Sequence, residues 1–274
     1  MKKILKKLPR HIVLIFLLLF MLYPIFMVIT NAFKSESELY SNSLGLPSDW
    51  GLSNFVAAFR DGHLAQAFLS SIAITVVSVT LITLLGSFAA FAISRSNMIG
   101  RRKWYWLFIV GIMIPYQVGL LHLYRLMDGL KLVDTFPGIV LIYVAYGLPF
   151  TVFVMYGFFR SIPNEINEAA TVDGCNVFQN YAKIIMPLSP TVIAAVVIFN
   201  LVWIWNDMLF PLIFISSPEL KTLARALLGF KGQFLSRYTV MFAGVVMASI
   251  PLTIVYLLLQ KRFISGMTAG SVKG

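Results

Sequence analysis

Six nearly uncharged stretches, each twenty residues or longer, decide what this chain can fold into. They occupy residues 12–33, 68–93, 104–124, 136–159, 188–214 and 240–259, with lengths of 22, 26, 21, 24, 27 and 20. A helix rises about 1.5 Å per residue, so about 20 apolar residues cross the roughly 30 Å hydrocarbon core. Backbone polar groups in lipid must be satisfied within their own segment, which selects helices over open strands. The alternation of a membrane β-barrel is absent. The expected fold is all-α and polytopic: six transmembrane helices forming one membrane domain over residues 1–274.

Composition agrees. Charged residues make up 12% and hydrophobic residues 59% of the chain, against about 25% and about 45–50% in soluble domains. Disorder is excluded because it requires low hydrophobicity. The net charge of +11 is too sparsely spread to give the continuous basic face that nucleic acid requires. Cys175 stands alone, so neither an internal disulfide nor a CxxC site is available. His11, His63 and His122 are scattered without metalloprotease spacing. Nothing in this pattern asks for a metal or cofactor. The first stretch follows Lys2, Lys3, Lys6, Lys7 and Arg10. It outruns the roughly 7–15 apolar residues of a signal peptide and reads as a retained anchor.

Basic residues set the expected orientation. With the N-terminus inside, the inner segments hold 14 basic and three acidic residues, and the outer segments eight of each. The whole net charge then lies on one side, with both termini cytoplasmic. Prolines punctuate every stretch but the second: Pro24, Pro115, Pro149, Pro190 with Pro211, and Pro251. Each removes a helical hydrogen bond that neighbouring helices must repair. Between the first two stretches, residues 52–59 are a candidate interfacial helix, with Ser53 at its start and Phe55, Val56 and Phe59 on one face.

The extended polar segment on the inner side spans about residues 161–187. Pro163, Glu165 and Glu168 suit a helix start, and Gly174 suits the left-handed residue that ends one. A helix over about 163–173 is expected, then a second over about 176–186. Val177, Tyr181, Ile184 and Ile185 lie at helical spacing in the second, and Pro187 stops it. Ile166, Ala169, Ala170 and Asp173 would form a low ridge around which another protein's cleft could close. A helix resting on lipid would carry basic residues on its polar face. This one carries acids, which an anionic leaflet repels, so a basic protein partner is favoured.

The run Glu168-Ala169-Ala170-Thr171-Val172-Asp173-Gly174, followed by Pro187, resembles the EAA loop of binding-protein-dependent ABC importer permeases. The preceding Arg160-Ser161-Ile162-Pro163, the Asp173-Gly174 pair and the later Trp205-Asn206-Asp207 look like the carbohydrate branch, specifically its maltose-type second permease subunit. The tail from Gly266 to Gly274 is similar to that subunit's. Cys175 stands where the family more often has alanine. The resemblance implies an ABC importer permease core in a bacterial-type cell membrane. Glu168, Ala169, Ala170, Asp173, Gly174 and Pro187 would belong to a cytoplasmic coupling helix and its turn, seated in a groove of an ATPase subunit. The implied partners are a second, different permease, two copies of the ATPase and an extracytoplasmic solute-binding protein. With no GxxxxGK[ST] run, the chain cannot itself be the nucleotide-binding subunit, and no catalysis is expected of it.

Polar residues within the stretches are candidates for a solute path. Asn200 fits either an interhelical hydrogen bond or the pathway. Asn206 and Asp207 stand beside Trp203 and Trp205. There Asp207 could cap a helix, reach water or recognise a sugar hydroxyl. Gln117 and His122 read as packing or interface residues. Tyr116, Tyr143, Tyr146, Trp203 and Trp205 offer aromatic platforms for sugar rings, although such residues also collect at bilayer interfaces. A self-contained secondary transporter or channel would place buried Asp–Arg machinery in the spans, and a membrane enzyme would need a catalytic constellation there. Asp207 is the one acid in the six stretches, which argues against both.

Overall fold

The computed structural model describes residues 8–61, 64–95, 99–230 and 237–271. Lys2, Lys3, Lys6 and Lys7, His63 and the tail residues 272–274 lie outside that set. Among the described residues the chain is helical and without strands: α1 (Leu8–Asn31), α2 (Glu36–Ser41), α3 (Ser53–Asp61), α4 (Leu64–Arg95), α5 (Arg101–Met113), α6 (Leu120–Gly129), α7 (Phe136–Ser161), α8 (Asn164–Val172), α9 (Val177–Asn180), α10 (Pro190–Asn206), α11 (Leu209–Phe214), α12 (Leu223–Leu228) and α13 (Tyr238–Ser271). Four of these contain spans long and apolar enough to cross a membrane: His11–Asn31, Leu64–Arg95, Phe136–Ser161 and Tyr238–Gln260. Two bent pairs bring the number to six if each counts as one span.

The bends have local causes. The third apolar stretch turns by 85° between Arg101–Met113 and Tyr116–Gly129. Pro115 has no N–H to donate and forces Ile114 out of the helical region, to φ −83° and ψ 115°. The fifth stretch is interrupted at Asp207, which is extended (φ −70°, ψ 130°) between α10 and α11. Ahead of it, Val177–Ile185 meets Pro190–Asn206 at 87°. Pro190 opens α10 in its first turn, where a missing N–H costs nothing. Pro24, Pro149 and Pro251 lie inside helices that continue through them.

The contacts resolve into two units, Met1–Ala67 with Arg225–Ile250, and Phe68–Ala224 with Pro251–Gly274. In the first, α1 is exposed along its apolar length from Ile12 to Phe26, as suits a helix facing lipid. Its end is fixed by ring packing and by polar ties. The Phe33 ring packs on Trp50 and Phe55 at 5.1 and 5.0 Å. The buried Lys34 Nζ donates to the carbonyls of Asn42 and Ser43 at 2.6 and 3.2 Å. Glu36 Oε1 accepts from the backbone N and the hydroxyl of Thr239, each at 2.9 Å.

The second unit is built on α4, α7 and α10. One buried cluster joins Ile74, Val79 and Ile82 of α4 to Ile139, Ile142 and Tyr143 of α7 and Ile204 of α10. A second joins Ala90, Phe91 and Ile93 of α4 to Val152, Met155 and Phe159 of α7 and Val192 and Val196 of α10. The second cluster also receives Tyr181 and Ile185, from the segment between α9 and α10.

Candidate coupling loop and solute pathway

The loop that follows α7 is held by the chain on both sides. At its start, Arg95 at the end of α4 donates to the carbonyls of Phe159 and Ile162 and, at 2.6 Å, to Asn164 Oδ1. Those carbonyls lie at the C-terminus of α7, where a cation complements the helix dipole. Pro163 precedes α8 and Glu165 lies in its first turn. Ala170 is 3% exposed and Ile166 packs on the second cluster. Glu168, Ala169, Val172 and Asp173 are exposed. The expected ridge is therefore divided: Ile166 and Ala170 face the bundle, and Ala169 and Asp173 face outward with Glu168. The inward pair is the bulkier and more apolar half available to the second cluster, which explains the choice of face.

The end of α8 is closed by a Schellman turn. Cys175 N donates to Ala170 O at 2.9 Å and Gly174 N to Thr171 O at 3.1 Å, with Gly174 at φ +80°. A capping box restarts the chain: Gln179 N donates to Asn176 Oδ1 at 2.8 Å, and Asn176 N to Gln179 Oε1 at 3.0 Å. The amide of Asn180 donates to Asn167 Oδ1, tying the second half of the loop back to α8. A π-helical turn over Tyr181–Ile185 follows, then Pro187 and Pro190. Of the four apolar residues expected on one face, Tyr181 and Ile185 are buried, Ile184 is half-buried and Val177 is exposed. A polar cleft of about 890 Å³ flanks α8, with Arg95, Arg101, Tyr156, Arg160, Glu165 and Glu168 among its lining residues.

The candidate pathway residues occupy different environments. Asn200 is 1% exposed. Its amide donates to Thr151 Oγ1 at 3.0 Å and to Val196 O at 2.8 Å, which makes it a bond between α10 and α7. Asn206 is exposed, with its amide turned back on Val202 O at 2.8 Å. Asp207 accepts from Leu209 N at 3.2 Å, Phe210 N at 3.1 Å and Tyr143 OH at 3.0 Å. It thus satisfies the free N–H groups at the start of α11. Trp203 meets Tyr143 edge-on at 5.7 Å, and Phe210 packs on Tyr116 and Tyr146 at 5.2 and 5.4 Å. The expected platforms are largely occupied by one another. Trp205 lies 6.5 Å from Phe68, and Gln117 and His122 are exposed. Among the described residues, no group of three or more His, Cys, Asp or Glu could hold a metal.

The family of binding-protein-dependent transport system inner membrane components matches residues 82–269, well over half of the chain. The chain belongs to this permease family. It is 32% identical to the probable ABC transporter permease protein YurM of Bacillus subtilis, over 95% of this chain and 87% of the relative. It is 30% identical to the diacetylchitobiose uptake system permease protein NgcG of Streptomyces coelicolor, over 96% of this chain and 88% of the relative. Its fold matches a chain of a bacterial ABC transporter involved in the import of the acidic polysaccharide alginate. That match has a TM-score of 0.83 at 23% identity and covers 96% of this chain and 98% of the other.

This permease is a multi-pass membrane protein with the fold of an ABC importer permease. Two of its structural ties escaped the reading of its sequence. Arg95 ends an apolar stretch, where a basic residue passes for a topology signal. Tyr181 passes for one apolar position among four.

Proposed function

We propose that this permease forms part of the translocation pathway of an importer for a sugar or oligosaccharide, and that the loop around α8 couples it to an ATPase. The observation that carries the coupling is the exposed edge of Glu168, Ala169, Val172 and Asp173 on a helix whose other face is bonded and packed into the bundle. A rigid knob with a fixed inner face passes on a rigid-body movement, and an acidic group on its outer face can fix register in a basic cleft. Pro187 and Gly174 then act on the backbone, as stop and turn, and Ala170 as the inward anchor.

The carbohydrate assignment is supported by relatives such as the diacetylchitobiose permease and by the residues resembling the maltose-type branch. The partners are a second permease, two copies of a cytoplasmic ATPase and an extracytoplasmic solute-binding protein. In this arrangement both termini face the cytoplasm, with the 14 basic residues of that side. The chain contributes a path and a lever and leaves ATP hydrolysis to its partner. Asn200, Trp203, Asn206 and Asp207 border the pathway, with Asn206 the most accessible of the four to solute.

Purification of the assembly from its native membrane tests both parts. An ATPase should co-purify in stoichiometric amount, and the associated binding protein should release a mono- or oligosaccharide on denaturation. A preparation transporting solute with no nucleotide-hydrolysing component overturns the coupling, and a binding protein loaded with a non-carbohydrate overturns the cargo.

A further inference from the structure

The loop is fastened to α4 at both of its ends, although α4 lies far from it in sequence. At the start, Arg95 holds Phe159 O, Ile162 O and Asn164. At the far end, Tyr181 OH lies 2.7 Å from Ser87 Oγ, 94 positions away. Ser87 Oγ also donates to Leu84 O at 2.9 Å. Its single hydrogen is therefore spent, and Tyr181 must be the donor of the shared bond. The Tyr181 ring stacks on Phe88 at 4.2 Å and meets Phe91 edge-on at 5.4 Å. Ser87 is fully buried and Tyr181 is 5% exposed, so breaking the pair leaves a polar group stranded in an apolar cluster. The two attachment points on α4 are eight residues apart, about 12 Å along the helix.

The tie continues to the exposed knob. Asn180 joins Tyr181 in sequence and bonds Asn167 of α8. The π-helical turn closes with Met186 N on Tyr181 O at 2.9 Å, which fixes the backbone at the position whose side chain reaches α4. A displacement of α8 meets no loose joint between Asn167 and Ser87.

We infer that Tyr181 is a positioning residue that makes α4 follow the coupling loop, so that movement of α8 reaches α4 as well as the α7 and α10 that flank it in sequence. The inference rests on the coupling reading above. It assigns α4 the part of a driven element, gripped at Arg95 and at Ser87, although the shortest covalent path from it to α8 runs about seventy residues, from Arg95 to Asn164.

Spin labels test this in the full importer reconstituted in lipid nanodiscs. One label goes on Cys175, the chain's single cysteine, and the other on Leu85→Cys, at an exposed position of α4. Their separation is measured without nucleotide and with ATP trapped by vanadate. The expected result is one narrow distance, unchanged between the two states. With Tyr181→Phe the distance broadens or shifts on trapping, binding-protein-stimulated ATP hydrolysis falls roughly threefold, and the ATPase still co-purifies. Ser87→Ala reproduces this, and the double variant is no worse than either single one. A distance that changes with nucleotide in the intact protein, or stays unchanged in Tyr181→Phe, overturns the inference. Loss of the ATPase from Tyr181→Phe also overturns it, since the residue would then act in docking. Failure of the coupling reading shows separately, as retention of the ATPase by Glu168→Lys.

Discussion

Gly86 on α4 lies so close to Thr151 on α7 that an added Cβ would stand 2.5 Å from Thr151 Cγ2 and 3.0 Å from its Cβ. Thr151 is fully buried, and its hydroxyl accepts from Asn200 on α10 at 3.0 Å. A β-branched side chain in such a bond has no rotamer into which to retreat. The three core helices of the second unit therefore meet at one point, where Gly86 and Gly147 keep the backbones close.

Gly86→Ala is expected to lower stability by about 1–3 kcal/mol through overpacking, read as a fall in Tm of the detergent-solubilised protein. Thr151→Ser removes the clashing methyl and keeps the hydroxyl for Asn200, so the double variant should recover most of the loss. Asn200→Ala should cost about 0.6–2 kcal/mol, the range of an interhelical hydrogen bond in a membrane. A Gly86→Ala protein that is as stable as the original would show that α4 and α7 are free to separate there.

Gly174 has open space around the position a Cβ would take, yet its φ is +80°. The cost of a side chain is therefore conformational alone. Gly174→Val should strain the Schellman turn by about 1–2 kcal/mol and depress ATP-driven uptake while the protein still inserts. Asparagine tolerates the left-handed region, so Gly174→Asn should retain most of the uptake. Equal uptake by the two variants would remove the turn from the mechanism.

The apolar stretches were legible because length and the absence of charge are properties of each segment alone. Where those stretches break was not. Pro115 announces a bend but not its angle of 85°, and nothing local foretells that Tyr116, just past it, packs against Tyr146 and Phe210, from α7 and α11. The acidic-and-alanine run was visible as a motif. Its inward face was not, because Ala169 and Ala170 are chemically identical and only the surrounding cluster distinguishes them. The partner of Tyr181 is one of several serines and threonines in α4, and nothing local to either residue pairs them.

Asp207 offers a test between a structural and a solute-binding carboxylate. Its oxygens accept from two backbone N–H groups at the start of α11 and from the Tyr143 hydroxyl. Asp207→Ala strands these donors and should cost about 0.5–2 kcal/mol as a lost cap, with a matching fall in Tm. Asp207→Asn keeps one acceptor oxygen and strands one of the two backbone N–H groups, so it should lose less Tm than Asp207→Ala and retain the KM of uptake. A raised KM in Asp207→Asn with a Tm no lower than that of Asp207→Ala would assign the charge to solute recognition.

Glu168 is the sharpest point at which to test coupling, because its side chain is exposed while the helix beneath it is anchored through Ile166 and Ala170. Reversing an exposed charge usually changes stability by no more than about 0.5 kcal/mol, so Glu168→Lys should insert and unfold as the original does. Against a basic ATPase cleft the same change replaces attraction with repulsion, which costs several kcal/mol at a desolvated interface. The expected outcome is normal membrane abundance, no co-purifying ATPase and no uptake. Glu168→Gln, which removes the charge without reversing it, should lie between the two, with weakened rather than abolished retention. Lowering the ionic strength should tighten ATPase binding to the original chain and weaken it further for the lysine variant, since screening acts on attraction and repulsion alike. A lysine variant that holds its ATPase and imports normally at normal abundance would mean that the acidic edge of α8 is not gripped at all.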